Sequence, residues 1–183
     1  RKFKHKKIKN IYYKQNKGKG YALKKGVEKA TKNWILTCDL DFSTNPNEIY
    51  KWEKNNHFKK AKLPKVFFGS RRHSASRVKS KFYRFFLGFF FQKLSNLFFN
   101  LKIKDTQCGF KLYPAKIAKS VFKNLITYGY AHDVEISVIL KKKLIQIMEL
   151  PIIWTHMEKG KINFMIDIPK MVIALVVLKM KLK

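Results

Sequence analysis

Asp39 and Asp41 stand one residue apart at the end of an apolar run, 34–38. They follow a basic glycine turn, Asn16-Lys17-Gly18-Lys19-Gly20, after a gap of eighteen residues. Carboxylates at i and i+2 can share a hard divalent cation, Mg²⁺ or Mn²⁺, where a strand ends and the chain bends. Gly18 and Gly20 have no Cβ, so backbone N–H groups there can approach phosphate oxygens closely. A Gly-Lys-Gly turn alone is a common surface feature, and so is Asp-x-Asp. In this order, with room between them for one helix and one strand, they compose the phosphate and metal halves of a nucleotide-diphosphate site.

Periodicity locates the elements that must hold these groups. A short strand is expected at 10–14, a helix over 19–30, and an apolar strand over 34–38. Asn45, Pro46 and Glu48 spell a helix start, and that helix should run to about residue 56. A basic loop (59–65) leads to a strand at 66–68 and then to Gly69-Ser70-Arg71. Further helices are expected at 114–124, opened by Pro114, and at 133–142, followed by an extended stretch, 145–154, broken at Pro151. The alternation predicts an α/β fold.

Residues 81–101 differ from the rest. Phe dominates, and Arg84, Gly88, Gln92, Asn96 and Asn100 recur every fourth position as one narrow stripe. A helix apolar on nearly all other sides must be buried or touch lipid. Its polar interruptions argue against a membrane span, which needs about 20 mostly apolar residues. The last segment, 168–182, has an unbroken apolar run only over 171–178, flanked by lysines. It suits either an interfacial helix on an anionic surface or a helix docked on the core.

The chain has 183 residues, 46% of them hydrophobic, enough for a real core. Its 41 Lys and Arg against 11 Asp and Glu give a formal charge of +30, and all but five of the cations are lysines. That field favours anionic partners: nucleotide phosphates, acidic lipid or nucleic acid. Nucleic acid is the weakest of these, because no binding motif is recognisable and many aromatics sit in one apolar helix where bases could not stack. Cys38 and Cys108 lack metal-type spacing and predict free thiols in a reducing setting. The chain opens on Arg1 within a basic segment, which reads as a piece whose N-terminal part is absent.

With these pieces located, the sequence resembles the polyprenyl-phosphate sugar transferases of glycosyltransferase family 2, most closely the dolichyl-phosphate β-glucosyltransferase group. The resemblance spans about residues 10–156. It rests on residues 16–22, on Asp39-Leu40-Asp41, on Gly69-Ser70-Arg71, on Asp105-Thr106-Gln107-Cys108-Gly109-Phe110-Lys111, and on His132-Asp133-Val134-Glu135 followed by Leu150-Pro151-Ile152 and Trp154. The Asp-Thr-Gln-Cys-Gly-Phe-Lys string is the most specific, and it tilts the donor toward UDP-glucose. Mannosyl relatives read more like Asp-Pro-Thr-Ser-Gly-Phe-Arg there.

The resemblance implies a GT-A nucleotide-sugar fold and an inverting transfer of a hexose from a UDP-sugar donor to a polyprenyl or dolichyl phosphate. It implies Asp39 and Asp41 as metal ligands, Asp41 the more direct, and Arg71 and Arg84 as the grip on the acceptor phosphate. Asp105 and Gln107 would border the sugar and acceptor, and Asn16, Gly18, Lys19 and Gly20 the donor diphosphate. Asp133 and Glu135 open a helix, where carboxylates suit either a solvated first turn or a sugar site. The expected organisation is a catalytic domain over 1–160, lacking its first strands, and a membrane-proximal helix over 161–183. The expected setting is the cytoplasmic face of an anionic membrane. Two departures stand out: the family's opening Asn-Glu and Asp-Asp-Gly-Ser strands are not in this sequence, and Ser43 occupies a place where some relatives carry Gln.

Overall fold

The computed structural model describes residues 7–55, 57–58, 64–79, 82–156 and 164–182, with the backbone alone for 82–87 and 164–167. In chain order the elements are α1 (Lys19–Lys29), β1 (Trp34–Thr37), α2 (Glu48–Lys54), β2 (Lys65–Gly69), β3 (Arg77–Lys79) and α3 (Phe82–Phe99). They continue with β4 (Lys111–Pro114), α4 (Ala115–Lys123), α5 (His132–Lys142), β5 (Gln146–Leu150), β6 (Ile153–Thr155) and α6 (Phe164–Lys181). The main sheet has the order β1-β4-β2-β5. β2 and β5 are parallel, and β4 is antiparallel to both β1 and β2, so β1, β2 and β5 run the same way. β3 and β6 form a small parallel pair beside it.

Strand alternation puts successive side chains on opposite faces. Val66 and Phe68 enter one core with Tyr113, Val121, Phe122, Ile136 and Leu140, under α1, α4 and α5. Phe67 and Leu112 face the other way and pack with Trp52 of α2, Phe110 and Leu150. This is the α/β layering expected. The three like-directed strands all end at one edge of the sheet, where ligands of open α/β sheets bind.

Three expectations change. Residues 10–14 form no strand: Ile11, Tyr12 and Tyr13 are exposed, and among the described residues no strand pairs with them. A β segment without a partner leaves its backbone groups to water.

The stripe on α3 also runs opposite to the usual sense. Gln92 is buried and Asn96 half-buried, and both donate to the carbonyl of Ile103, while Phe90 and Leu97 are turned out to solvent. The polar side of this helix holds the protein together, and part of its apolar side is bare.

The terminal helix docks on the core along one side and is exposed along the other. Met171, Leu175 and Leu178 of α6 pack with Phe91 of α3 and with Val134 and Val138 of α5, whereas Ile173, Val176 and Met180 are exposed.

Candidate active site

At the strand-end edge, the segment after β1 brings Asp39 and Asp41, and the turn after β2 brings Arg71. The loop before β4 brings Asp105, Gln107 and Gly109, and the start of α5 brings His132 and Asp133. The sequence separates these groups by up to about ninety residues, and the sheet gathers them.

Asp105 is buried, and its carboxylate grips Arg71 by a fork. Arg71 Nε donates to one oxygen at 2.7 Å and an Nη to the other at 2.8 Å. The backbone N–H groups of Arg71 and Gln107 donate to the same carboxylate. The guanidinium lies 5.6 Å from the centre of the Trp154 ring. Burial works against the charge on Arg71, but Asp105 more than offsets it and raises the guanidinium above its ordinary value. Asp105 is held low by the same pairing, against the effect of its burial. A bidentate pair of this kind fixes both position and plane. Asp105 therefore positions Arg71. Arg84 lies on α3, and its side chain is outside the described residues.

A second pair sits deeper. Lys111, 1% exposed, donates to Asp133 at 2.5 Å and to the carbonyl of Cys108 at 2.6 Å, with its ammonium 5.0 Å from the Phe68 ring centre. Burial alone would raise Asp133, but Lys111, then His132 and Lys19, bring it down to about 2. Buried charges persist only when paired in this way. Lys19 completes the group: it bonds Asp39 at 2.5 Å, and Asp133 and Asp39 raise it despite partial burial.

Asp39 lies directly over the backbone of Gly109, where a Cβ would come within 2.5 Å of its Oδ2. That close approach explains the glycine of the Cys-Gly-Phe string. Cys108 is packing: burial pushes its thiol up to about 11, and both cysteines are free. Asp41 is exposed, with Oδ1 accepting the N–H of Ser43 at 2.9 Å in a tight turn. Among the described residues no cluster of three or more His, Cys, Asp or Glu could hold a metal. Asp39 and Asp41 are nevertheless a fitting donor set for Mg²⁺ or Mn²⁺, because such ions take one or two carboxylates and complete their shell with water and substrate phosphate.

The glycines serve a different purpose from the one expected. The N–H of Gly18 donates to Asn16 Oδ1 at 2.9 Å, and the N–H of Gly20 donates to the Tyr128 carbonyl at 2.9 Å. Neither is left for a phosphate. A Cβ on Gly18, whose φ is +91°, would fall 2.6 Å from the Tyr128 oxygen, and one on Gly20 would fall 2.9 Å from His132 Cβ. The turn is bare so that the 126–131 loop can pack on it.

Glu135 is likewise turned to structure. Fully buried, it accepts the N–H groups of Ile126 and Thr127 and the hydroxyl of Thr127, which pins the same loop. Between this loop and the sheet edge lies a cavity of about 350 Å³ lined by Lys19, Gln107, Tyr128, Tyr130, His132 and Asp133.

His132 and Lys111 are residues the sequence does not single out for the site. The His132 Nδ1 lies 2.6 Å from the Gly129 carbonyl and donates to it, which fixes the ring and with it the position of Nε2. That Nε2 is buried without a hydrogen-bond partner, 3.3 Å from Asp133 Oδ2 but not aligned for a bond. A buried orphan of this kind in a cavity wall is a ligand-facing signal that only coordinates reveal.

A sheet of three like-directed strands with one reversed, carrying its carboxylates and basic groups at the strand ends, is the Rossmann-like GT-A architecture. The family profile described as Glycosyl transferase family 2 matches residues 1–122, and the chain belongs to that family. It is similar to the dolichyl-phosphate beta-glucosyltransferase of Saccharomyces cerevisiae, at 33% identity over 180 residues, covering 93% of this chain and 54% of the relative. Proteins of the same name from Dictyostelium discoideum and Homo sapiens are each 31% identical, covering 85% of this chain and 49% of the relative. The chain spans about half the length of these curated relatives.

Proposed function

We propose that this chain forms the larger part of the catalytic site of an enzyme that transfers glucose from UDP-glucose to dolichyl phosphate with inversion. The observation that carries the reading is the clamped Arg71, a preoriented guanidinium whose Asp105 partner also holds Gln107 in the wall of the cavity of about 350 Å³. An acceptor phosphate is already anionic at neutral pH, so catalysis is mostly positioning and electrostatics. Arg71, aimed by Asp105, and Arg84 bind the acceptor phosphate and hold one of its oxygens in line with the anomeric carbon. That oxygen forms the new bond to C1 on the face opposite the nucleotide, and the C1–O bond to UDP breaks. Lys19, Gln107 and Asp133 orient the sugar, with His132 Nε2 hydrogen-bonded to a sugar hydroxyl. Asp39 and Asp41 would hold Mg²⁺ or Mn²⁺, which when bound supplies Lewis-acid stabilisation of the departing diphosphate.

The surroundings support a site on the cytoplasmic face of an anionic membrane. Phe90 and Leu97 of α3 and Ile173, Val176 and Met180 of α6 are exposed apolar groups on two packed helices, interspersed with Lys93 and Lys179. Among the described residues no helix is long and apolar enough to cross a membrane. Exposed apolar side chains beside lysines suit the interfacial region.

The test is Arg71→Ala in the full-length protein. Losing one partner of a buried charge pair costs about 2–5 kcal/mol in binding. The KM for dolichyl phosphate should rise steeply while UDP affinity holds. Arg71→Lys should not rescue it, because an ammonium cannot reproduce the fork to Asp105. Loss of UDP affinity with unchanged acceptor use would reverse the assignment.

A further inference from the structure

A second cavity, of about 380 Å³, lies between α3 and the 100–104 loop. Its walls carry Arg72, Lys93, Lys102 and Lys104, with Phe89 and Ile103 between them. Phe89 holds two cations: the Arg72 guanidinium is 5.0 Å from its ring centre and the Lys93 ammonium 4.7 Å. The nearby carboxylate, Glu149, accepts the backbone N–H groups of Lys104 and Asp105.

The walls are fixed. Gln92 and Asn96 both donate to the Ile103 carbonyl, and Gln92 Oε1 accepts the N–H and hydroxyl of Thr106. Lys141 caps the carbonyls of Phe99 and Asn100. The loop also takes the left-handed conformation at two non-glycine residues, Asn100 (φ 49°) and Lys102 (φ 55°). Such positions are unfavourable for residues with a Cβ and persist only where the surroundings impose them.

We propose that this cavity binds the phosphate of an anionic phospholipid head group, as a site separate from the Arg71 acceptor site. Four cations around a preformed cavity suit a phosphate. The choice of a lipid over a free anion comes from the rim, where Phe89 and Phe90 are 38% and 51% exposed and lead onto the bare side of α3. A free anion would use the cations and leave the aromatic rim in water. The proposal rests on the membrane-surface reading above and gives it a specific contact.

The experiment compares two triple variants of equal charge in this chain. One removes the cavity cations: Lys93→Gln, Lys102→Asn (asparagine tolerates the left-handed backbone) and Lys104→Gln. The control is Lys116→Gln, Lys119→Gln and Lys123→Gln on the exposed side of α4. Two probes are titrated: short-chain phosphatidic acid below its micellar concentration, and phosphatidylcholine vesicles containing phosphatidic acid, with an oligonucleotide as competitor.

At roughly fivefold per cation, the cavity triple should lose about a hundredfold in affinity for both probes. The control should lose less than about fivefold, with thermal unfolding of both triples as in the parent. Cavity-dependent binding of the short-chain lipid without vesicle binding would uphold the pocket and refute the membrane reading. Equal vesicle binding by both triples would overturn the pocket and leave the membrane reading standing. A loss of oligonucleotide affinity with lipid binding intact would also overturn it.

Discussion

Arg71 and Arg72 are neighbours in sequence and lead into two regions of different electrical design. Arg71 turns into the strand-end cleft, where buried cations meet carboxylates: Arg71 with Asp105, and Lys111 with Asp133. Arg72 turns toward Phe89 and a cavity walled by three lysines. Burial raises neither cation's affinity for its proton. At Arg71 the Asp105 carboxylate reverses that penalty, while at Arg72 burial prevails and the guanidinium is pushed down. In the cleft, charge is spent on fixing geometry, because a low-dielectric interior tolerates ions only in matched pairs. Beside α3, positive charge is gathered around aromatic surface.

The sharpest way to break this contrast is the same substitution on each side of it. Lys111→Met should destabilise the chain by about 3–5 kcal/mol, since it strands the buried Asp133 carboxylate. Adding Asp133→Leu should return part of the loss. Denaturant unfolding measures both, and a single variant as stable as the parent would remove the pair from the account.

Acid gives an intermediate effect. Asp133 is depressed from 3.8 to about 2, and Asp105 is also lowered. A carboxylate depressed on folding contributes stability that is fully present above its unfolded value and lost as pH falls through its folded value. The unfolded chain binds more protons in that window, so stability rises with pH there. Between about pH 4 and pH 2 the chain should lose on the order of 2 kcal/mol from Asp133 alone. Unfolding free energies flat across that window would contradict the pairing.

Lys93→Met, on the exposed side of the α3 cavity, should change stability by no more than about 0.5 kcal/mol, as surface substitutions do. A loss as large as that of Lys111→Met would erase the distinction between the regions.

The comparison also explains why some groups could be read from sequence and others could not. The position of Asp39 and Asp41 after the first strand was legible because an apolar run followed by two carboxylates is a local pattern. The family string at 105–111 was legible as a unit, yet its parts separate: Asp105 orients Arg71, Gly109 admits Asp39, and Lys111 neutralises Asp133. None of those partners is near in sequence. Glu135 shares a helix start with Asp133, but one faces the cavity and the other ties down the loop at 126–127.

By itself the sequence determined the α/β class, the helices from residue 19 onward with the strands at 34–38 and 66–68, the pair of carboxylates after the first of those strands and the excess of positive charge. These depend on periodicity, composition and short spacing, which are properties of the chain alone. The tertiary structure decided which backbone N–H groups stay free, and it closed those of Gly18 and Gly20 against Asn16 and Tyr128. It decided that the polar stripe of α3 faces inward, because Gln92 and Asn96 had a carbonyl at Ile103 to satisfy. It also decided which lysines are paired, buried or gathered. Hydrogen-bond satisfaction and charge pairing are settled between residues far apart in sequence, and only the packed chain brings those residues together.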